Sequence, residues 1–481
     1  MRHKHPVFGL AFLMMAIVDA PCPRAETAAP PASLPTAPCA LPGVAGPARC
    51  GVLELPENPD RPDGRQLPIH VTVVPARSGK ALSDPIVVLM GGPGEDAISA
   101  AADYAAQFAP LLKDRNLLLV DQRGTGQSAA LHCDLFSPAT AADSLRDLFP
   151  PAAVEKCERR LAATADLTRY IYAYFARDLE QVRQALGYGP LNLFAGSYGT
   201  RAAQVYMRAY PRSVRTAYLG SVVPVDANNP LPFAKTAQTV LDRLFADCDA
   251  DPACHAAYPN LRDEFRQVLE RLDSGNVRVS ILGRAGLVPL GRGRVAEWIR
   301  AKLYRPRGAA TLPWFIHRAF AGDWAPIADD ILADSREVDQ ALSLGLLFAI
   351  TCSEDLPFVR DQDIGPATDG TFLGRYRLRQ QQAACSYWPK AMLPDGYRKP
   401  VQSSVPTLFV TGDMDGATPL WFTDRVAAGF SDHAVIIAHG QGHTEWSDCL
   451  AEKFGELVRT GSARGLGASG CPAIPRPPFK I

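Results

Sequence analysis

A chain of 481 residues exceeds what one hydrophobic core fills, since single cores stop growing at roughly 250–300 residues, so two structural units are expected. Lys plus Arg (50) equals Asp plus Glu (50), which leaves no net field to draw in nucleic acid or an acidic membrane surface. That balance argues against a polyanionic substrate, and no nucleic-acid partner is expected.

Arg2, His3, Lys4 and His5 precede the apolar run Val7 to Val18. The run is too short to span a bilayer but suits the h-region of a secretory signal. Residues 1–25 are therefore expected to be a signal peptide, the mature protein to be periplasmic or extracellular, and no stable membrane insertion to remain after its removal. Cleavage after Ala20 leaves Pro21 beside the cut, and cleavage after Ala25 places Pro23 three residues upstream, so both positions stay open. Asp19-Ala20-Pro21 before Cys22 is a poor lipobox, which argues against a lipid anchor. Residues 26–49 are rich in Pro and Ala, too poor in large apolar groups to pack, and read as a linker.

Of 11 cysteines, Cys22 falls in the leader region. Ten remain: Cys39, Cys50, Cys133, Cys157, Cys248, Cys254, Cys352, Cys385, Cys449 and Cys471. An even number in an oxidising compartment can all pair. Sequence alone does not give the connectivity; the simplest pairing joins neighbours. Zinc wants C-x₂₋₄-C pairs, and the closest pair, Cys248 and Cys254, is spaced too widely. No metal is expected.

From Cys50 the chain reads as folded. G-V-L-E-L (51–55) and I-H-V-T-V-V (69–74) flank a turn-rich stretch and suggest an antiparallel opening pair. Short apolar runs then alternate with helical stretches: 86–90, 116–120, 191–195, 215–219, 407–411 and 434–438. Runs without polar alternation are what parallel strands covered on both faces look like. Phe175, Leu179, Val182 and Leu186 recur at helical spacing and stop at Gly187, as a helix C-terminus should. The pattern predicts an α/β fold with a mostly parallel sheet flanked by helices. Residues 225–400 break the alternation with helix-like segments and read as a mainly helical cap inserted between two parts of the sheet domain, 50–224 and 401–481.

Ligands and catalytic groups in open α/β sheets collect at the carboxyl edge of the strands. There the sequence places G-G-P-G (91–94), D-Q-R-G-T-G-Q-S (121–128), A-G-S-Y-G-T (195–200), G-D-M-D-G-A-T-P (412–419) and H-G-Q-G-H (439–443). Three of these supply a hydrolase triad in the order Ser197, Asp415, His443, the order of α/β-hydrolases. A serine hydroxyl is a poor nucleophile at neutral pH, so His443 is needed to take its proton, and Asp415 to hold the imidazole. The backbone N–H of Tyr198 and one from Gly91 or Gly92 would face the oxyanion. Asp413 competes with Asp415, and His439 with His443. Gly440 and Gly442 between the two histidines argue against a helical metal pair. No cofactor is called for.

Together with D-L-E-Q-V-R-Q-A-L-G (178–187), these motifs resemble the secreted α/β-hydrolase peptidases related to proline iminopeptidase, and more closely the tripeptidyl aminopeptidase branch with its TAP-like C-terminal region. The resemblance runs over roughly residues 35–475. It implies the neighbour pairing of cysteines and a small peptide substrate cleaved from a free N-terminus. An ammonium group calls for a carboxylate partner; the resemblance nominates Glu354 in A-I-T-C-S-E-D (349–355), with Asp355 second. Three departures stand out. Ala195 replaces the first elbow glycine, Met90 stands where a histidine often precedes G-G-P-G, and L-G-S (219–221) lacks the carboxylate of the commoner L-D-G. A carboxylic ester hydrolase would use the same triad. A non-catalytic surface binding protein would be expected to have lost a triad member, and none is lost.

Overall fold

The computed structural model describes residues 33–282 and 285–481. The expected signal peptide, Cys22 and residues 26–32 of the expected linker lie outside them. Among the described residues, nine of eleven strands form one sheet: β1 (Ala37–Cys39), β2 (Ala48–Pro56), β3 (Gln66–Val74), β4 (Ile86–Leu89), β5 (Leu117–Val120), β6 (Leu191–Gly196), β7 (Val214–Gly220), β10 (Thr407–Gly412) and β11 (His433–Ala438). β8 (Arg278–Ser280) and β9 (Leu287–Pro289) pair separately in the cap. The large sheet runs β1-β2-β3-β5-β4-β6-β7-β10-β11, antiparallel as far as β5 and parallel beyond it. All six apolar runs are strands of this parallel part.

Period-two alternation decides which face each side chain covers. Val87, Leu89, Leu118, Val120 and Leu193 enter one core with the helices Tyr172–Ala185 and Tyr198–Ala209. Ile86, Val88, Leu117, Leu119 and Phe194 enter the other with Leu408, Val410 and Phe454. The helix expected from Phe175 to Leu186 forms as Tyr172–Ala185 and ends at Gly187, whose φ is +68°.

Two boundaries differ from expectation. The linker expected over 26–49 is folded from Leu34 onward. Leu34 is buried with its N–H on the Ala185 carbonyl, and β1 pairs with β2, so backbone hydrogen bonding outweighs a composition poor in large apolar groups. The stretch 225–400 also divides. Its own core gathers residues of 233–331 with Phe372 and Leu373, whereas the helix Leu344–Ile350, buried throughout, packs into the sheet's core. A helix apolar on every side is a core helix. The five disulfides join neighbours, 39–50, 133–157, 248–254, 352–385 and 449–471, with Cα separations of 5.2–5.8 Å.

The D-Q-R-G-T-G-Q-S cluster at the end of β5 is architecture. Arg123, fully buried, binds Asp178 through Nε and Nη2 at 2.6 and 2.7 Å and caps the Glu57 and Arg169 carbonyls through Nη1. Asp121 accepts the N–H groups of Ala97, Ile98 and Gln127 and so holds the loop after β4. Burial outweighs these bonds and pushes its carboxyl up to about 6. Breaking one partner of a buried ion pair strands the other charge. Asp178→Asn is expected to lower unfolding stability by about 3–5 kcal/mol in denaturant titration, against under about 1 kcal/mol for a surface pair such as Arg266–Glu270.

Candidate active site

β6 turns into the helix Tyr198–Ala209 through Ser197, whose φ of +52° and ψ of −128° lie where few non-glycine residues go. Strain of this kind costs about 1–3 kcal/mol and persists only where the surroundings impose it. Here the Ser197 N–H donates to the Gly220 carbonyl on β7 at 3.0 Å, and the helix start packs against the end of β4. A Cβ on Gly199 would stand 2.0 Å from the Leu89 carbonyl oxygen, so only glycine fits there. Ala195 lies within β6 opposite Leu89 and Leu219, fully buried, with no positive φ. The substitution at the first elbow position therefore asks nothing special of the backbone.

The turns after β10 and β11 supply the other two groups. His443 Nδ1 lies 2.9 Å from Asp415 Oδ2 and 3.1 Å from Oδ1. Asp415 Oδ1 also accepts the N–H groups of Ala417 and Thr418, and Oδ2 the Thr418 hydroxyl at 2.7 Å. Burial would raise the pKa of Asp415, but the neighbouring His443 and these hydrogen bonds outweigh it and hold the carboxyl below its ordinary value. Asp413 faces elsewhere, toward His439 Nδ1 at 3.1 Å and Arg243 at 3.2 Å. The geometry separates the two Asp–His pairs: Asp415 with His443, Asp413 with His439.

The histidine loop meets the elbow directly. A Cβ on Gly196 would lie 3.2 Å from Thr444 Cγ2, and the Thr444 N–H donates to Ser221 Oγ at 2.9 Å. Ser221, next to the Gly220 that takes the carboxylate's position in L-G-S, thus serves as an acceptor for the histidine loop. From the cap, the Tyr304 carbonyl accepts the His443 N–H at 2.6 Å, and the two rings lie 5.1 Å apart. Among the described residues the Ser197 hydroxyl has no protein hydrogen-bond partner; such contacts commonly tighten only when substrate is bound.

Of the candidate oxyanion amides, those of Tyr198 and Gly92 donate to no other protein group among the described residues. The Gly91 N–H does not share that freedom, because Glu95 Oε2 accepts it at 3.1 Å. Glu95 was not singled out in the sequence; its position directly after G-G-P-G was the available signal.

Glu354 and Asp355 are a correction. Both are 0% exposed and already partnered. Glu354 accepts the Tyr172 N–H at 3.0 Å and the Tyr397 hydroxyl at 2.6 Å, with Arg201 Nη1 at 3.5 Å. Asp355 accepts Arg201 Nη2 at 2.7 Å and the Tyr198 hydroxyl at 3.1 Å. Neither offers a face to a substrate ammonium. They hold Arg201, one turn into the elbow helix, and with it the base of the turn. Residue type and a neighbouring cysteine pointed to these acids; an arginine reaching them from a helix far earlier in the chain was not visible.

Residues 84–270 match the family described as alpha/beta hydrolase fold, and residues 370–469 that described as TAP-like protein. Serine protease Hip1 of Mycobacterium tuberculosis is 26% identical over 429 residues, covering 78% of each chain. Tripeptidyl aminopeptidase of Streptomyces lividans is 29% identical over 200 residues, 37% of this chain and 36% of that protein. Proline iminopeptidase of Aeromonas sobria is 27% identical over 208 residues, 42% and 44% of the two chains.

Among the described residues, Arg201 alone lies within ion-pair distance of the two buried carboxylates. Burial is the main cause that pushes Glu354 up to about 7 from an ordinary 4.5, while Arg201 and the hydrogen bonds pull it down. Between those values the folded chain keeps a proton that the unfolded chain releases, so this group's contribution to stability is complete below about 4.5 and is lost as the pH rises through 7. Glu354→Gln removes that titration and leaves Arg201 matched by Asp355. Thermal unfolding across pH 5–8 is expected to show the variant gaining on the wild type as pH rises, by up to about 3 kcal/mol. A difference independent of pH would contradict this.

The two family matches, spanning the sheet domain on both sides of the cap, agree with the observed strand order: the chain has the α/β-hydrolase fold, and its C-terminal part is similar to the TAP-like proteins.

Proposed function

We propose that this chain is an exported serine exopeptidase that releases N-terminal residues or short peptides from small unblocked peptides through an acyl-enzyme. The reading is carried by one observation, the Asp415–His443 pair beside a serine on a strained turn at the sheet's carboxyl edge. Similarity to three peptidases supports peptide over simple ester as the substrate. Five disulfides fit an oxidising compartment and support export.

In this mechanism Ser197 Oγ attacks the scissile carbonyl carbon while His443 Nε2 takes its proton. Asp415 keeps the Nδ1–H tautomer and stabilises the imidazolium. Its four hydrogen bonds, from His443, Ala417, Thr418 N–H and Thr418 hydroxyl, hold it ionised. The Tyr198 and Gly92 amides stabilise the oxyanion, each such donor contributing about 3–4 kcal/mol in hydrolases. His443 returns the proton to the leaving amine, and water then resolves the acyl-enzyme by the same path. The surroundings of Ser221 and Tyr304 fix the histidine loop without entering the chemistry.

Purified mature protein offered unblocked aminoacyl-, dipeptidyl- and tripeptidyl-coumarins, their N-blocked versions and short-chain esters tests the substrate class. Turnover of unblocked peptides is expected; turnover of esters alone would establish the ester-hydrolase reading instead. Asp415→Asn is expected to lower kcat about 10⁴-fold with the fold retained, while Asp413→Asn changes kcat only a few-fold. Equal losses in the two variants would remove the assignment of Asp415. Ser197→Ala is expected to abolish turnover in the same assay.

A further inference from the structure

We infer that Glu95 is the carboxylate that receives the substrate's free α-ammonium, and that its position restricts the enzyme to releasing one N-terminal residue at a time. The inference rests on the peptidase reading above and goes beyond it in naming the anchor and the length of the released piece.

With Glu354 and Asp355 sealed around Arg201, another acid has to serve an exopeptidase of this kind. Glu95 follows G-G-P-G in the loop after β4, and the start of that loop lies against Ser197. The position of a Cβ built on Gly91 is 3.1 Å from Ser197 Cβ and 3.4 Å from Glu95 Oε2, so the carboxylate and the nucleophile share one small space. The histidine loop reaches the same place, since Thr444 Cγ2 lies 3.2 Å from a Cβ position on Gly196; burial holds the Glu95 carboxyl above its ordinary value, against the Gly91 N–H and the charges of His443 and Arg305. No Lys, Arg or His among the described residues comes within ion-pair distance of it, in contrast to the two acids bound to Arg201. Its Oε2 takes the Gly91 N–H; no group among the described residues takes Oε1. It is partly exposed, so a ligand can reach it.

The loop that carries it is fixed on both sides. Asp121 takes the N–H groups of Ala97 and Ile98 from below. Leu342 and Ser343, at the end of the cap helix Ala325–Ala341, cover it from above: the Ser343 N–H donates to the Gly94 carbonyl at 2.9 Å, and Leu342 Cδ2 is 3.1 Å from a Cβ position on Gly92. A carboxylate held this way acts as a fixed ruler.

Chain geometry then sets the length. The α-nitrogen of a residue whose carbonyl is attacked lies two bonds from that carbonyl carbon, and each further residue upstream adds about 3.3–3.6 Å. An ammonium on Glu95 and a carbonyl on Ser197 Oγ therefore belong to the same residue. A tripeptide's ammonium would fall about two residue lengths beyond reach.

The same placement gives Glu95 a selective effect. A carboxylate beside the oxyanion position opposes the negative charge that develops there, unless a substrate ammonium neutralises it. An unblocked substrate brings that ammonium; an N-acetylated substrate or a simple ester does not.

The test compares wild type and Glu95→Gln, which keeps a carbonyl oxygen for the Gly91 N–H, on alanyl- and prolyl-coumarin, their N-acetylated forms and p-nitrophenyl acetate. The expected result is a fall of about thirtyfold or more in kcat/KM for the unblocked substrates, expressed mainly in KM, with a rise for the N-acetylated substrates and the ester. Parallel losses on every substrate, the mark of a merely structural role, would overturn the inference, as would an unchanged preference for unblocked substrates. A second measurement needs no variant: wild type is expected to release coumarin from aminoacyl substrates at least about tenfold faster than from the tripeptidyl substrate, per kcat/KM, and the reverse order would overturn the ruler. Wild type that turns over esters but no unblocked peptide would sink the peptidase reading, and this inference with it; wild type active on unblocked peptides but blind to Glu95→Gln would sink this inference alone.

Discussion

The site depends on one strained residue. Ser197 holds a backbone conformation unfavourable to any side chain, and three neighbours leave it no other choice. The Gly220 carbonyl takes its N–H, the Leu89 carbonyl stands where a side chain on Gly199 would go, and Thr444 closes against Gly196. Each of these groups sits at the end of a different strand or on a turn following one. The sheet's register therefore fixes the turn that carries Ser197, and the parallel pairing of β4, β6 and β7 is a condition for the proposed chemistry as much as for the core.

Buried charge sorts the remaining acids by role. Asp178 and Asp355 are matched by arginines at 2.6–2.7 Å and serve the framework. Asp121 is matched by backbone N–H groups and sets the course of a loop. Asp415 is matched by four donors, one of them His443, and its pKa is driven down although it is buried. Glu95, half-buried near Ser197 with no cation in ion-pair distance among the described residues, is the unmatched one. A carboxylate that the fold leaves unmatched and partly exposed beside the nucleophile is the one able to take a charge from outside.

Much of this was legible in the sequence because it is local. Uninterrupted apolar runs gave the parallel strands, glycine after a 3.6-residue periodicity marked a helix end, and polar clusters following strands marked the sheet's carboxyl edge. The order Ser197, Asp415, His443 pointed to the Asp415–His443 pairing that the structure shows, and the neighbour pairing of the described cysteines, left open by spacing, was what the family resemblance implied. What stayed hidden is set by contacts between distant segments. Leu34 joins the core through the Ala185 carbonyl, Leu344–Ile350 leaves the cap for the sheet, and Arg201 reaches across to Glu354 and Asp355. Composition cannot distinguish a carboxylate facing solvent or substrate from one facing an arginine contributed by another helix. Ala195 is the converse case: it departs from a familiar pattern, yet its backbone conformation shows that the pattern's glycine was not needed at this position.

The central claim is that the fold activates Ser197 through His443, and covalent labelling tests it most directly. Mature protein treated with diisopropyl fluorophosphate is predicted to gain one phosphoryl adduct per chain, on the peptide that contains Ser197, and His443→Ala, folded by circular dichroism, is predicted to remain unlabelled under the same conditions. An unmodified wild-type chain that still hydrolyses substrate, or an adduct on a different serine, would contradict the account.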